Sequence, residues 1–196
     1  MIFVDIDGVL AEFSGAFSKL VAEKYDTPLI RTREVQDWWW SNVYGKEHFD
    51  YGWRRVEKEL NWWESLESLA TAEQLRRVAR AHRDLPIIFV TSRASGGVNS
   101  DSTYHQTIRW LERRGIEEPL LIHTKGDGKG GKTNKADLVD RFGAYFAIED
   151  SPQNALDYAE KGIEVALLDW PYTATTLHPK ITRCGLTEAL TLAGVP

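Results

Sequence analysis

Five short runs, residues 2–6, 87–91, 120–123, 145–148 and 164–168, are nearly continuous in apolar character rather than alternating. That is the pattern of strands covered on both faces. Between the later runs the apolar spacing becomes helical. Thr71-x-x-Gln74 is a capping box, opening a helix with Leu75, Val78, Ala79 and His82 on one face. Tyr104, Ile108 and Leu111 form a second stripe closed by Gly115, and Asn134 caps a third helix carrying Leu138, Val139 and Phe142 up to Gly143. Ser151-Pro152 opens a fourth, closed by Gly162. Strands alternating with helices predict an α/β fold built on a doubly wound parallel sheet.

The first two apolar runs are separated by far more chain than one crossover helix needs. Phe13, Phe17, Leu20 and Val21 make one helical stripe there, and Phe49, Trp53, Val56 and Leu60 another. The expected organisation is a core of residues 1–13 and 70–196 with a small helical cap, 14–69, inserted after the first strand. Of the eight tryptophans, six (Trp38, Trp39, Trp40, Trp53, Trp62 and Trp63) fall in this insertion. Such a concentration marks either an aromatic core or a surface that stacks on something flat. Trp53 shares the stripe of Phe49 and Val56 and reads as core. At about 100° per helical residue Trp38–Trp40 cannot all face one way, so at least one meets an interface. Trp62 and Trp63, at the return to the core, are candidates for substrate contact and for core packing alike.

Composition narrows the class. At 196 residues, 42% hydrophobic and 27% charged, the chain suits one globular domain with a modest insertion. No apolar run approaches the roughly 18 residues of a membrane span. Met1-Ile2-Phe3-Val4 runs into Asp5 without a basic leader, so a cytoplasmic location is expected. One cysteine, Cys184, excludes an internal disulfide. A net charge of −5 disfavours long nucleic acid as a partner, because that affinity comes from Lys and Arg on phosphates.

In open α/β sheets ligands bind beyond the carboxyl ends of the strands. There the sequence puts Asp5-Ile6-Asp7-Gly8-Val9, Thr91-Ser92-Arg93 and Glu149-Asp150-Ser151-Pro152, with Lys132 and Lys135 near the start of the third helix. The glycine-rich residues 126–131 between them are expected to form a flexible loop. Carboxylates, hydroxyls and a lysine on one edge suit phosphoryl transfer. One carboxylate can attack phosphorus, a second acid can protonate the leaving oxygen, and a hard cation with the lysine and hydroxyls can offset the charge. Expelling halide needs no such acid, so a phosphate ester suits Asp7 better than a haloacid.

Asp5-Ile6-Asp7-Gly8-Val9-Leu10, Val90-Thr91-Ser92, Lys135 and Ile148-Glu149-Asp150 resemble the four ordered motifs of the haloacid dehalogenase superfamily. Within it the chain is most similar to the 5'(3')-deoxyribonucleotidases and their phage and bacterial relatives. That similarity rests on Asp-Ile-Asp-Gly-Val-Leu-Ala-Glu-Phe at 5–13, the helical insertion directly after it, and Trp62-Trp63-Glu64-Ser65-Leu66-Glu67. The resemblance implies Asp5 as nucleophile and Asp7 as general acid/base. It implies Mg²⁺ held by Asp5, the Asp7 carbonyl and Asp150, with Glu149 acting through water, and Thr91, Ser92 and a lysine on the phosphate. Lys135, which begins a helix, fits the third motif better than Lys132. Arg93 stands where the nucleotidases usually carry proline, and reads equally as a surface residue or a phosphate or substrate contact.

The expectation is a Mg²⁺-dependent phosphomonoesterase acting on a nucleoside monophosphate, preferably a deoxyribonucleotide, through an aspartyl-phosphate. The alternatives are another small phosphate ester, a polynucleotide 3'-phosphate, or a phosphate- or partner-binding module on the same fold. A homodimer is left open.

Overall fold

The computed structural model describes residues 1–38, 40, 43–93, 101–124 and 134–196. Trp39, Lys132 and the glycine-rich loop 126–131 lie outside the described residues.

Six parallel strands form one sheet: β1 (Ile2–Val4), β2 (Ile87–Thr91), β3 (Leu120–His123), β4 (Phe146–Glu149), β5 (Glu164–Leu168) and β6 (Ile181–Cys184). Their order is β3-β2-β1-β4-β5-β6. The chain winds to one side from β1 to β3, then crosses back and winds to the other. Ile2 pairs with both Ile87 and Phe146, and Val4 with both Phe89 and Ile148, so β1 is central and wholly buried. Its continuous apolar character follows from having a strand on each edge and helices on each face. The parallel doubly wound expectation is met. The sixth strand is an addition to the five expected: Thr182 and Arg183 are exposed on a sheet edge, so β6 carries no apolar run.

Alternate side chains of the strands feed two cores. Phe3, Ile88, Val90, Ala147 and Val165 meet α6 (Leu138–Phe142) and α7 (Pro152–Glu160). Ile2, Val4, Ile87, Phe89, Ile148 and Ala166 meet α4 (Ala72–Asp84), α5 (Thr103–Glu112) and α8 (Leu186–Leu192). The capping box of α4 is present as expected, with Gln74 N–H donating to Thr71 Oγ1 and Gln74 Oε1 accepting from the Thr71 N–H. The stripe expected on α5 is met only in part, with Leu111 buried and Ile108 half-buried. Tyr104 is exposed, and Thr103, Gln106, Thr107, Trp110 and Leu111 face inward. The polar members have partners that no apolar pattern reveals, such as Gln106 Oε1 accepting from the Trp63 N–H at 3.1 Å.

Between β1 and β2 lie α1 (Phe13–Ala22), a 3₁₀ turn (Thr32–Glu34), α2 (Lys46–Val56) and α3 (Trp62–Ser65). Glu12, buried, binds this segment together: its Oε1 accepts from Gly15 N at 3.1 Å, capping α1, and from Thr32 N and Oγ1 at 2.9 and 2.7 Å. Phe17 lies against Phe13, Trp40, Phe49 and Trp53, with ring centroids 5.3–5.8 Å away. Trp40 holds a left-handed backbone, φ 53°, which this aromatic packing must sustain. The insertion does not have a core of its own. Phe17, Trp40, Trp62 and Trp63 belong to the same buried cluster as one face of the sheet. Among the described residues no helix is long and apolar enough to cross a membrane.

Gly52 lets α2 close on α1. A Cβ there would stand 2.4 Å from Phe17 Cζ. Gly52→Ala should therefore cost about 1–3 kcal/mol by overpacking, although alanine is the better helix former by about 1 kcal/mol. Urea unfolding of the two proteins checks this. A more stable variant would mean that the two helices are less tightly apposed.

Candidate active site

The site lies where the winding direction reverses, between the carboxyl ends of β1 and β4. Past Val4 the chain still pairs once, Asp5 N donating to Ile148 O at 3.0 Å, then turns so that Ile6 O accepts from both Leu10 N and Ala11 N at 2.8 Å. Gly8 sits in this turn at φ 78°, and a Cβ on it would be 1.8 Å from Asp150 Oδ2. Only glycine fits there. The close approach brings the two acidic strand ends together, and Trp170 Nε1 fixes it by donating to Gly8 O at 2.9 Å.

Asp5, Glu149 and Asp150 are all buried and offer oxygens within 4.8 Å of one another. Lys135, buried in the turn preceding α6, puts Nζ 2.7 Å from Asp5 Oδ2 and 3.0 Å from Glu149 Oε2. The other Glu149 oxygen accepts from the N–H groups of Asp150 and Ser151 at 3.1 Å. Glu149 thus has both oxygens engaged and orients the lysine. Asp150 Oδ2 accepts from the Tyr172 hydroxyl at 2.7 Å. Burial, then the charge of Glu149, pushes the Asp5 carboxyl up despite Lys135. Burial, then Asp5, raises Asp150 to about 7. For Lys135 burial works against the charge, but Asp5 and Glu149 outweigh it and hold its pKa above the usual value. Tyr172 is pushed up by burial and by Asp150, so it stays a donor. Three carboxylates sharing one lysine are short of positive charge, which suits a hard divalent cation with oxygen ligands.

Asp7 is not part of this cluster, although it lines the same cavity as Asp5. Its carboxylate accepts from Arg93 Nη2 at 2.8 Å and Nε at 2.9 Å, and from Thr91 Oγ1 at 3.4 Å. The surface reading of Arg93 is overturned: the residue is 1% exposed, inserted between α5 and Trp63. Ser92 Oγ hydrogen-bonds Thr124 Oγ1 at 2.6 Å.

These groups form the floor of a cavity of about 640 Å³. Asp5, Asp7, Asp150, Thr91, Ser92, Arg93 and Lys135 all line it. The insertion supplies the wall, with Phe13, Trp38, Trp40, Tyr44, Phe49, Trp53 and Trp63. Trp63 reaches the cavity; its neighbour Trp62 does not line it and packs edge-on against Phe13 and Trp63. Trp53, read from the sequence as core, both packs on Phe17 and faces the cavity. Trp38 meets Tyr172 across the joint of insertion and core, centroids 5.6 Å apart, as expected of at least one member of the tryptophan triplet. Sequence reasoning missed Tyr172 and Asn154, which also line the cavity; Asn154 stands on the first turn of α7, four residues after Asp150, whereas only the fold brings Tyr172 to β4.

Residues 1–178 match the family model described as "5' nucleotidase, deoxy (Pyrimidine), cytosolic type C protein". The chain belongs to this family. A protein of Chlorobaculum tepidum named "Putative 5'(3')-deoxyribonucleotidase" is 26% identical over 165 residues, 83% of this chain and 75% of that one. In fold the chain is similar to a haloacid dehalogenase-like hydrolase from Streptococcus pneumoniae, with TM-score 0.61 and 14% identity over 98% and 97% of the two chains. It is also similar to the D,D-heptose 1,7-bisphosphate phosphatase of B. bronchiseptica, solved with magnesium and phosphate, with TM-score 0.53 and 16% identity over 98% and 97%. The expected nucleotidase family is therefore the one found, and the expected fold is that of the two solved enzymes.

The raised carboxyls bind protons more tightly in the folded protein than in the unfolded chain. Without a cation, their contribution to stability should fall as pH rises from the unfolded Asp value of 3.8 through the folded Asp150 value of about 7. A divalent cation compensates the charge that deprotonation leaves. Mg²⁺ should raise the melting temperature more at about pH 8, above that window, than at about pH 4, near its lower end. Equal shifts at both would place the cation elsewhere.

Proposed function

We propose that this protein hydrolyses nucleoside monophosphates, with deoxyribonucleotides favoured, through an aspartyl-phosphate on Asp5. The observation that carries this reading is the aromatic wall set directly above an acidic, lysine-bearing floor. A nucleotide is a phosphate joined to a flat ring system, and stacking on aromatic side chains is worth roughly 1–3 kcal/mol per base. In this reading residues 14–69 are the cap and 1–13 with 70–196 the catalytic core, with Phe13 at the joint.

Asp5 attacks phosphorus with one carboxylate oxygen. As the bond to the nucleoside oxygen breaks, Asp7 gives that oxygen its proton and the nucleoside leaves as an alcohol. Water then attacks the phosphorus of the aspartyl-phosphate, and Asp7 takes its proton. The phosphorus–Asp5 bond breaks, and phosphate and the free carboxylate are restored. Lys135 and the Thr91 and Ser92 hydroxyls donate to the phosphoryl oxygens as charge moves onto them. Asp5, Asp150 and the Asp7 carbonyl would hold Mg²⁺, which when bound offsets repulsion between the phosphate and Asp5. Glu149, tied to Lys135, acts at one remove.

Phosphate release from deoxyribo- and ribonucleoside monophosphates and from sugar phosphates, with and without Mg²⁺, tests the proposal. Turnover is expected for nucleotides with the cation. Turnover of sugar phosphates alone would overturn the substrate assignment. Asp5→Asn should remain folded and lose at least about 10⁴-fold in kcat; undiminished activity would move the nucleophile elsewhere.

A further inference from the structure

Among the described residues the buried cations are Lys135 and Arg93. Lys135 has a place in the chemistry above; Arg93 does not. Its guanidinium side chain is 0% exposed, whereas its partner Asp7 is 22% exposed and borders the cavity. The fork therefore grips the carboxylate from behind. Nη2 donates to Oδ1 at 2.8 Å and Nε to Oδ2 at 2.9 Å, fixing the carboxylate plane. Nη1 donates to Thr107 Oγ1 at 3.0 Å, and that hydroxyl donates to Thr103 O at 2.7 Å on α5. The guanidinium also lies 5.1 Å from the ring of Trp63 and 5.8 Å from that of Trp110. It cannot turn without displacing an indole. Without it, among the described residues, the Asp7 carboxylate keeps one 3.4 Å hydrogen bond, from Thr91.

We propose that Arg93 is the positioning residue of Asp7, holding the acid/base carboxylate toward the phosphoryl site from the rigid face of α5 and Trp63. This rests on the proposed mechanism and adds to it a second cation with a separate task. A phosphate ligand would turn its donors toward the cavity, whereas here the fork is committed to Asp7. Lysine would not substitute, because an ammonium is a point donor and does not fix a plane.

The test uses the full chain and the variants Arg93→Met, Arg93→Lys, Asp7→Asn and Asp7→Asn with Arg93→Met. With a nucleoside monophosphate, Arg93→Met should lower kcat about 100-fold and leave KM and inhibition by inorganic phosphate little changed. Arg93→Lys should not restore kcat. With p-nitrophenyl phosphate, whose leaving group needs little protonation, Arg93→Met should show a burst of one equivalent of p-nitrophenolate before a slow steady state. The first displacement then proceeds while deprotonation of water lags, a signature a collapsed site would not give. In the Asp7→Asn background Arg93→Met should add no further loss.

An equal loss in that background, or weakened phosphate inhibition with kcat intact, would overturn the assignment in favour of a phosphate ligand. Full rescue by lysine would also overturn it, since charge alone would then suffice. Should the methionine variant not fold, the same cycle with Arg93→Lys separates the two roles in the same way. An inactive wild type or an active Asp5→Asn would instead defeat the underlying mechanism, independently of Arg93.

Discussion

The structure depends on one electrostatic arrangement: the Lys135 ammonium held between Asp5 and Glu149, all three largely buried. Three buried carboxylates within 4.8 Å would repel one another strongly enough to spread the loops that carry them. They stay together because each has partners. Lys135 serves Asp5 and Glu149, backbone N–H groups serve the remaining Glu149 oxygen, and Tyr172 serves Asp150. The lysine is itself positioned. Asn134 caps its turn by accepting from Ala136 N at 3.0 Å, and the Asn134 amide donates to Asp157 on α7 at 2.9 Å. β1 and β4 being neighbours, with crossovers leaving in opposite directions, makes the cleft into which all these groups point.

The insertion is bound into the same framework. Its aromatic residues share a buried cluster with the sheet, so swinging it away as a rigid lid would expose several large side chains, each worth roughly 1.5–3 kcal/mol when buried. Its return segment is fastened to α5 as well. Glu64, largely buried, pairs with Arg109 and Arg113, while Trp110 Nε1 and Arg114 Nη2 both donate to Leu66 O, at 2.8 and 2.7 Å. The wall above the carboxylates is therefore preorganised, and the cavity is bounded by side chains that also hold the fold together. Trp53 and Trp63 each serve both purposes, which is why a strict division into core and contact residues fails for them.

What is legible in the sequence follows from how local the signal is. Five strands are readable because burial on both faces leaves continuous apolar runs, and the acidic strand ends are readable because parallel strands send their carboxyl ends to one edge. β6 is hidden because an edge strand with exposed Thr182 and Arg183 has no such run. The inner face of α5 is hidden because Thr103, Gln106 and Thr107 are polar and buried against groups distant in the chain. Trp62 and Trp63 cannot be ranked from the sequence. Successive helical residues point about 100° apart, and only the orientation of α3 decides that Trp63 meets the cavity. Tyr172 has no local signal at all, since its contact with Asp150 spans 22 residues and exists only once β5 is in place.

Arg93 shows the same limit most sharply, and its burial explains why an arginine is tolerated there. A guanidinium removed from water is costly unless a carboxylate and further acceptors meet it. Asp7, the Thr107 hydroxyl and two indole faces do so, so the charge is compensated within the site itself. The two neighbouring aspartates are thereby given different surroundings by different cations. Asp5 is largely buried and bound to a lysine that also serves Glu149, conditions that keep its carboxylate close to the Glu149 and Asp150 oxygens. Asp7 is partly open to the cavity and held by a fork from behind, conditions under which one carboxylate can meet a leaving oxygen and then a water without moving. The division of nucleophilic and proton-transfer roles proposed for two acids two residues apart needs something that breaks their equivalence, and the pairing of Asp5 with Lys135 and of Asp7 with Arg93 supplies such a difference.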